Sequence, residues 1–398
     1  MLTRSRGKKS SADSIFARND IAIFGAFCLF LCAVEYMIPK PLPFFRIGLA
    51  NLPLMLACNL FSFPSFLVLV CIKVFGQALI TGTLFSYVFL FSAAGTFLSA
   101  LCMYFLCRVF SGKRISFIGI GTAGALISNL SQLFLAYYFI FRENVFYIAP
   151  PFLAAGLVTG IVLGVFCEVF VNKSKWYMEK MKHRLTQIII DKDEDIKSKD
   201  FSSSVVSIFS ARALFITGLI IMPALLFNPN TQFRIYQFLF FLVLACFSGR
   251  KINFLYTILI TSFIIAFNLI IPYGRVLYSI GAFKITSGAL EAGIHRAVTL
   301  QALVMLSKFT IRKDLMLPGA FGRLLSESLR IFSAIMGKRL HLTRRNLIAE
   351  IDALMLNLSE ETSVPADANK QKTKPAGFIA LVIIALMAWF PIILDYLM

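Results

Sequence analysis

The chain has 398 residues, of which 58% are hydrophobic and 15% are charged. A soluble domain carries about 45–50% apolar and about 25% charged residues, so this composition excludes a soluble globular enzyme. The net charge of +19 does not by itself indicate a nucleic-acid partner, because basic cytoplasmic loops account for such a balance in a membrane protein.

The first half of the chain predicts a bundle of membrane-spanning helices. Residues 1–20 form a basic tail, and no A-x-A cleavage pattern follows the next apolar run, which indicates a retained first span. Because a span needs about 20 apolar residues, we place six in residues 21–171, at about 21–38, 47–61, 64–80, 84–107, 116–141 and 149–171. The second is short and bounded by Pro43 and Pro64, which predicts a tilted or re-entrant segment.

The second half predicts another membrane module after a polar break. Residues 172–208 contain an acidic cluster and cannot span lipid, so they are interpreted as a cytoplasmic linker. Residues 209–398 then form the second module. Its parts are spans within about 211–306, a basic amphipathic helical insertion at 307–375 and a last span at 377–394. The predicted fold class is an all-α integral membrane protein, a six-helix bundle fused to a second helical module with a cytoplasmic insertion.

Charge placement predicts the orientation. Six spans that start from a cytoplasmic N-terminus return residues 108–114 and 172–184 to the cytoplasm, and both segments are basic. We therefore expect a multi-pass protein of the bacterial cytoplasmic membrane with its N-terminus in the cytoplasm.

Ionisable residues inside apolar runs are candidate binding groups, because a charge at the centre of a bilayer costs about 2.5–3.5 kcal/mol. Lys73 lies in the middle of a predicted span and either pairs with a carboxylate, for which Glu35 is the natural partner, or snorkels toward a headgroup. Arg46 either holds an anionic substrate group at the outer mouth or is a snorkelling anchor.

Three amides extend this candidate substrate site. Asn51, Asn129 and Gln132 lie within or near predicted spans. They either bind a small polar substrate or form hydrogen bonds between helices.

Two motifs have a simpler structural interpretation or are incomplete. Gly119, Gly121 and Gly124 form G-x-G-x-x-G inside an apolar run, where small residues favour close helix packing over dinucleotide binding. A P-loop is not complete in the sequence, because Ser111-Gly112-Lys113 lacks its first glycine.

No enzymatic activity is expected of the chain by itself. Prenyl diphosphate synthases carry two aspartate-rich motifs that hold magnesium and diphosphate. The one acidic cluster here, residues 191–195, lies in the linker. We expect no catalytic residues, no metal site and no bound cofactor, and a synthase role would be that of an accessory subunit.

Two segments of the first half resemble a known family. They are E-Y-M-I-P-K-P-L-P-F-F-R-I-G-L-A-N-L-P from Glu35 to Pro53 and G-I-G-T-A-G-A-L-I-S-N-L-S-Q from Gly119 to Gln132. They are similar to the Gx transporter family, also labelled heptaprenyl diphosphate synthase component I, over about residues 21–171. That family is regarded as similar to the six-helix substrate-binding (S) components of energy-coupling factor uptake transporters.

The second half resembles, more loosely, the transmembrane coupling (T) component of the same transporters. In that component several spans precede cytoplasmic coupling helices, which dock on a pair of ATPases, and one last span follows. The A-R-G signature of such helices is missing, and Arg323, Arg330 and Arg339 are the candidates for its role. In the resembled S components an alanine face on the first span docks on the coupling subunit. Ala22, Gly25 and Ala26 either do the same here or pack inside the bundle.

These resemblances imply the membrane component of an ATP-driven uptake transporter. It would bind a small-molecule substrate, whose identity the sequence does not reveal, while separate ATPase subunits bind and hydrolyse ATP. The alternatives are an accessory membrane subunit of heptaprenyl diphosphate synthase in isoprenoid or quinone synthesis, and a structural membrane scaffold without a ligand.

The number of spans makes a testable prediction about sidedness. Reporter tags at residue 1 and at about residue 195 should both lie in the cytoplasm, and a tag at the C-terminus should lie outside, because the spans before each tag reverse the chain that many times. Protease protection or thiol labelling of intact cells measures this. A cytoplasmic C-terminus would remove the final span and the T-like interpretation.

Overall fold

The computed structural model describes residues 5–37, 48–109, 116–179, 210–248, 252–280, 283–312, 315, 319–337, 352 and 375–397. Over these residues the protein is mostly helical, and five helical segments are long and apolar enough to cross a membrane. The predicted fold class, a helical multi-pass membrane protein, is confirmed. The linker at 172–208 stays a prediction, because residues 180–209 lie outside the described ranges.

The first membrane unit contains six helices. They are α1 (Ser5–Met37), α2 (Leu52–Leu60), α3 (Phe63–Thr81), α4 (Tyr87–Val109), α5 (Phe117–Ala136) and α6 (Val145–Lys173). A 3-10 turn, Leu49–Asn51, precedes α2, so the second predicted span is short, as the sequence indicated. A π-helical turn, Tyr137–Phe141, and a 3-10 turn, Arg142–Asn144, join α5 to α6.

Glycines let α5 and α6 approach closely. A Cβ on Gly121 would lie 2.7 Å from the carbonyl oxygen of Gly160, and a Cβ on Gly160 would lie 2.8 Å from Cα of Thr122. Any side chain at these positions would separate the two backbones. The interpretation of the motif as close helix packing is therefore confirmed at Gly121.

The second unit, which the sequence predicts to lie in the membrane, consists of α7 (Ala211–Leu226), α8 (Thr231–Phe247), α9 (Phe254–Asn268), α10 (Ser287–Thr310) and α12 (Pro375–Leu397). Ser210, Asn230 and Asn253 begin the first three of these helices, and each side chain accepts a hydrogen bond from a first-turn N–H. Helix α10 packs on α7, α8 and α9, while α12 packs on α7.

A β-hairpin departs from the all-helical expectation. Strands β1 (Val276–Ile280) and β2 (Phe283–Thr286) pair antiparallel, so α10 starts only at Ser287 and only the C-terminal part of the apolar run at 276–306 is helical. The run is apolar, but its β-branched and aromatic residues are interrupted by Ser279 and Lys284, a composition that suits a solvated hairpin.

The predicted insertion contributes α11 (Gly319–Gly337), which packs on α1 and α3 of the first unit. Leu324, Leu325 and Ile335 are buried there, and the rings of Phe321 and Phe75 lie 5.8 Å apart. The apolar face of α11 is thus covered by the chain itself. Beyond α11, Asp352 accepts hydrogen bonds from the backbone N–H of Trp176 at 3.0 Å and of Lys175 at 3.2 Å, just past α6.

The predicted small face of α1 lies at this contact. A Cβ on Gly25 would lie 2.7 Å from Oγ of Ser328 on α11 and 2.8 Å from Cγ2 of Ile72 on α3. Ala22 and Ala26 are fully buried. Small residues therefore allow α11 to lie against α1.

Larger side chains at the contact between α1 and α11 should destabilise the protein. Gly25→Leu and Ser328→Leu each overpack the α1–α11 contact and should lower the free energy of unfolding by about 1–3 kcal/mol. Both should also increase protease cleavage after α10. Ser333→Leu, which places the same side chain at an exposed position of α11, is the control. Unchanged stability of both test variants would contradict the packing described.

Candidate functional site

Five of the six predicted substrate-site residues line one cavity inside the first unit. The cavity has a volume of about 40 Å³ and room for a few water molecules. The five residues are Glu35, Asn51, Lys73, Asn129 and Gln132. Arg46, the sixth, lies outside the described residues. Helices α1, α3, α4, α5 and α6 and the turn before α2 all contribute to the wall.

Lys73 is the central cation of this cavity. Only 3% of the residue is exposed, and its Nζ donates a hydrogen bond to Oδ1 of Asn51. The contact places the ammonium group inside the bundle, which favours the cavity interpretation over snorkelling. The 3-10 turn that carries Asn51 therefore brings an amide to a charge on α3.

Glu35 supplies the opposite charge. It lies near the end of α1, is 6% exposed and lines the same cavity as Lys73. Two buried groups of opposite charge in one cavity reduce the cost of keeping each of them away from water. The pairing by sign inferred from the sequence is thus compatible with their positions.

One of the two amides on α5, Asn129, also connects two helices. Nδ2 of Asn129 donates to the carbonyl oxygen of Phe152 on α6 at 2.8 Å, in space that a Cβ on Gly156 would fill. Nε2 of Gln132 donates to Oγ of Ser128 at 3.0 Å. Both proposed roles, hydrogen bonding between helices and lining a site, therefore apply to Asn129.

Sequence reasoning missed several hydroxyl and amide groups in the wall. They are Gln77, Ser92, Thr96, Ser128 and Thr159. Ser92 and Thr96 are four residues apart on α4, so they share one face of the helix. That spacing was the available signal, but hydroxyls in an apolar helix often bond their own backbone and do not stand out.

Two of the three predicted ATPase contacts lie on the exposed side of α11. Arg323 and Arg330 are exposed. Arg339 lies outside the described residues. The sequence-based assignment of a role in coupling to these arginines stays a prediction.

Comparison with protein families bears on the unit that contains the cavity. Residues 24–170 match the family described as heptaprenyl diphosphate synthase component I. This match runs from α1 to α6 and includes every residue that lines the cavity. Residues 211–313 match a domain of unknown function, DUF8519. Comparisons with curated proteins and with solved structures found no match.

The resemblance of the first half to that family is therefore supported. The match ends before α7, and the second matched domain has no described function. The similarity of the second half to a T component stays a prediction.

Removing the buried ammonium should destabilise the protein. Lys73→Met leaves the buried Glu35 in the cavity without that cation, and a buried charge that loses its partner costs about 3–5 kcal/mol. The free energy of unfolding in detergent should fall accordingly, and adding Glu35→Gln should restore part of it. Lys173→Met, at an exposed position at the end of α6, is the control. Wild-type stability of Lys73→Met would show that the two groups do not depend on each other.

Proposed function

We propose that the chain is the membrane component of an ATP-driven uptake transporter of the energy-coupling factor type. The first unit binds a small polar molecule, and the second unit with α11 transmits force from separate ATPase subunits. The protein resides in the bacterial cytoplasmic membrane with its N-terminus in the cytoplasm, and the α5–α6 turn faces outside.

The contact between α1 and α11 carries this proposal. A transporter of this type needs a mechanical connection between the substrate-binding unit and the element that docks on the ATPases. Here the small face of α1 around Gly25 meets Ser328 of α11, while Arg323 and Arg330 of the same helix remain exposed. One helix therefore contacts the binding unit on one side and presents cations on the other.

The cavity around Lys73 supports a role in substrate capture. Its wall combines an ammonium, a carboxylate, amides and hydroxyls within apolar helices. Binding sites for polar solutes are concave and have a few convergent polar groups, as this one does. With a volume of about 40 Å³, it represents a closed state that must widen to admit a substrate larger than a few waters.

The mechanism follows from these two features. A solute enters from outside, replaces water around Lys73 and Glu35, and is released inward when the first unit reorients against the second. ATP hydrolysis on the partner subunits moves α11, and α11 moves α1. No bond in the solute is made or broken by this chain.

An accessory role in polyprenyl diphosphate synthesis is the second candidate. The description of the matched family, heptaprenyl diphosphate synthase component I, favours it. In that role the chain would copurify with a soluble prenyltransferase instead of ATPases.

A pull-down distinguishes the two candidates. ATPase subunits should copurify with the wild-type protein and be lost when Arg323, Arg330 and Arg339 are changed together to Glu, because arginine forks bind carboxylates with fixed geometry. Each single change should weaken recovery, and Lys173→Glu should not. If no ATPase copurifies, or if the triple variant recovers it equally well, the coupling role is wrong. Recovery of a prenyltransferase instead would support the accessory role.

A further inference from the structure

A second and much larger cavity lies where the two membrane units meet. Its volume is about 910 Å³. The α5–α6 turn contributes Arg142, Glu143 and Asn144, while α10 contributes Glu291 and Arg296. None of the substrate-binding or ATPase-contact residues predicted from the sequence lines this cavity. We call it the interface cavity.

Two arginines, Arg142 and Arg296, line the interface cavity. Arg296 donates from Nη1 to the carbonyl oxygen of Ile140 at 3.2 Å and also to Oδ1 of Asn268. The positive charge of Arg142 is near enough to repel that of Arg296. Arg142 has a φ of 47°, a conformation that non-glycine residues rarely adopt and that is enriched at ligand-binding sites. An oxyanion between the two cations would remove the repulsion.

The start of α10 adds donors for an oxyanion. Thr286 precedes the helix, but its Oγ1 accepts a hydrogen bond from the backbone N–H of Tyr273 at 3.1 Å and does not cap the first turn. Gly288, in that first turn, lines the interface cavity. The N-terminus of a helix attracts negative charge, so it reinforces the two arginines.

Asn144 offers an acceptor and needs a hydrogen-bond donor, in contrast to the start of α10. Only 5% of the residue is exposed, and its Oδ1 has no hydrogen-bond partner among the described residues. A buried acceptor is normally satisfied, so this one points to a missing donor. Glu143 and Glu291, which line the same cavity, are carboxylates and favour a donor with positive charge.

We propose that the interface cavity binds a zwitterion in which an oxyanion is joined to a primary ammonium group. Arg142 and Arg296 hold the oxyanion, and Asn144 with Glu143 receives the ammonium. The site is distinct from the cavity around Lys73, and it lies where a bound molecule touches both membrane units. A free solute and the headgroup of phosphatidylethanolamine both carry this chemistry.

The test uses pairs of probes that differ only in their N–H donors. The purified full-length protein, in detergent with phosphatidylcholine, is titrated calorimetrically with phosphoethanolamine or phosphocholine, and with glycine or trimethylglycine. The methylated members keep the oxyanion and the positive charge but cannot donate. We expect the primary amine of at least one pair to bind at least about tenfold more tightly than its methylated counterpart.

Variants separate the two halves of the site. Arg142→Gln should weaken binding of both members of the pair about tenfold or more, because it removes an oxyanion contact. Asn144→Leu should abolish the preference for the primary amine, because the shape remains while the acceptor is gone. Lys284→Gln removes a cation from an exposed position on β2 outside the cavity and should bind as the wild type does.

A lipid arm distinguishes the two sources of the ligand. The protein is placed in nanodiscs of equal parts phosphatidylethanolamine and phosphatidylcholine, and the lipids it retains are identified by native mass spectrometry. Retention of phosphatidylethanolamine that is lost in Arg142→Gln assigns a headgroup, and binding of a soluble probe without such retention assigns a solute. The proposal is overturned if neither occurs, or if Arg142→Gln and Asn144→Leu both behave as the wild type.

Discussion

The first unit is organised around one buried charge, the ammonium of Lys73. Lipid offers no hydrogen bonds, so a cation in the middle of α3 has to be satisfied by the protein. Asn51 accepts from it, and Glu35 places a carboxylate in the same cavity. The short α2 with its preceding turn, the end of α1 and the polar face of α5 all surround this group. An apolar side chain there would leave these elements without a common polar centre.

Polar groups are also satisfied by the protein where the two units contact each other. In the π-helical turn the N–H of Arg142 bonds to Tyr137, and the carbonyl oxygen of Ile140 accepts from Arg296 and Asn268 of the second unit. Elsewhere the N–H of Phe85 donates to Oγ of Ser307 at 3.2 Å. Backbone groups that are not used within one unit are thus satisfied by side chains of the other. Polar contacts, and not apolar packing alone, fix how the units meet.

The candidate site was accessible to sequence reasoning because charged and amide side chains stand out in an apolar run. Lys73, Glu35 and Asn129 were found in this way, although the sequence did not give the distances between them. Ser92 and Thr96 were missed because a hydroxyl can bond within its own helix. The interface cavity was missed for another reason. Arg142 and Arg296 are 154 positions apart, and only the packing of the units brings them together.

In the fold, too, local features could be predicted from the sequence and long-range contacts could not. Apolar runs bounded by caps and prolines predicted most helices, because local composition decides whether a segment can enter lipid. Composition did not reveal the hairpin from β1 to β2, because an apolar run of strand residues satisfies the same composition test as an apolar helix. The amphipathic pattern of α11 predicted an apolar face. The surface that covers this face belongs to α1, which is distant in sequence, so the pattern alone could not identify it. Arg46 and Arg339 lie outside the described residues.

Asp352 has a consequence for how the two units hold together. It lies downstream of α11, and its carboxylate accepts from Ser174 Oγ and from the N–H of Trp176 at the end of the first unit. At the α5–α6 end, Arg296 bonds to Ile140. Bonds near both ends of α6 therefore connect the two halves of the chain, and these bonds do not involve residues 180–209. We therefore expect a chain cut within residues 180–209 to keep its two halves together through these hydrogen bonds.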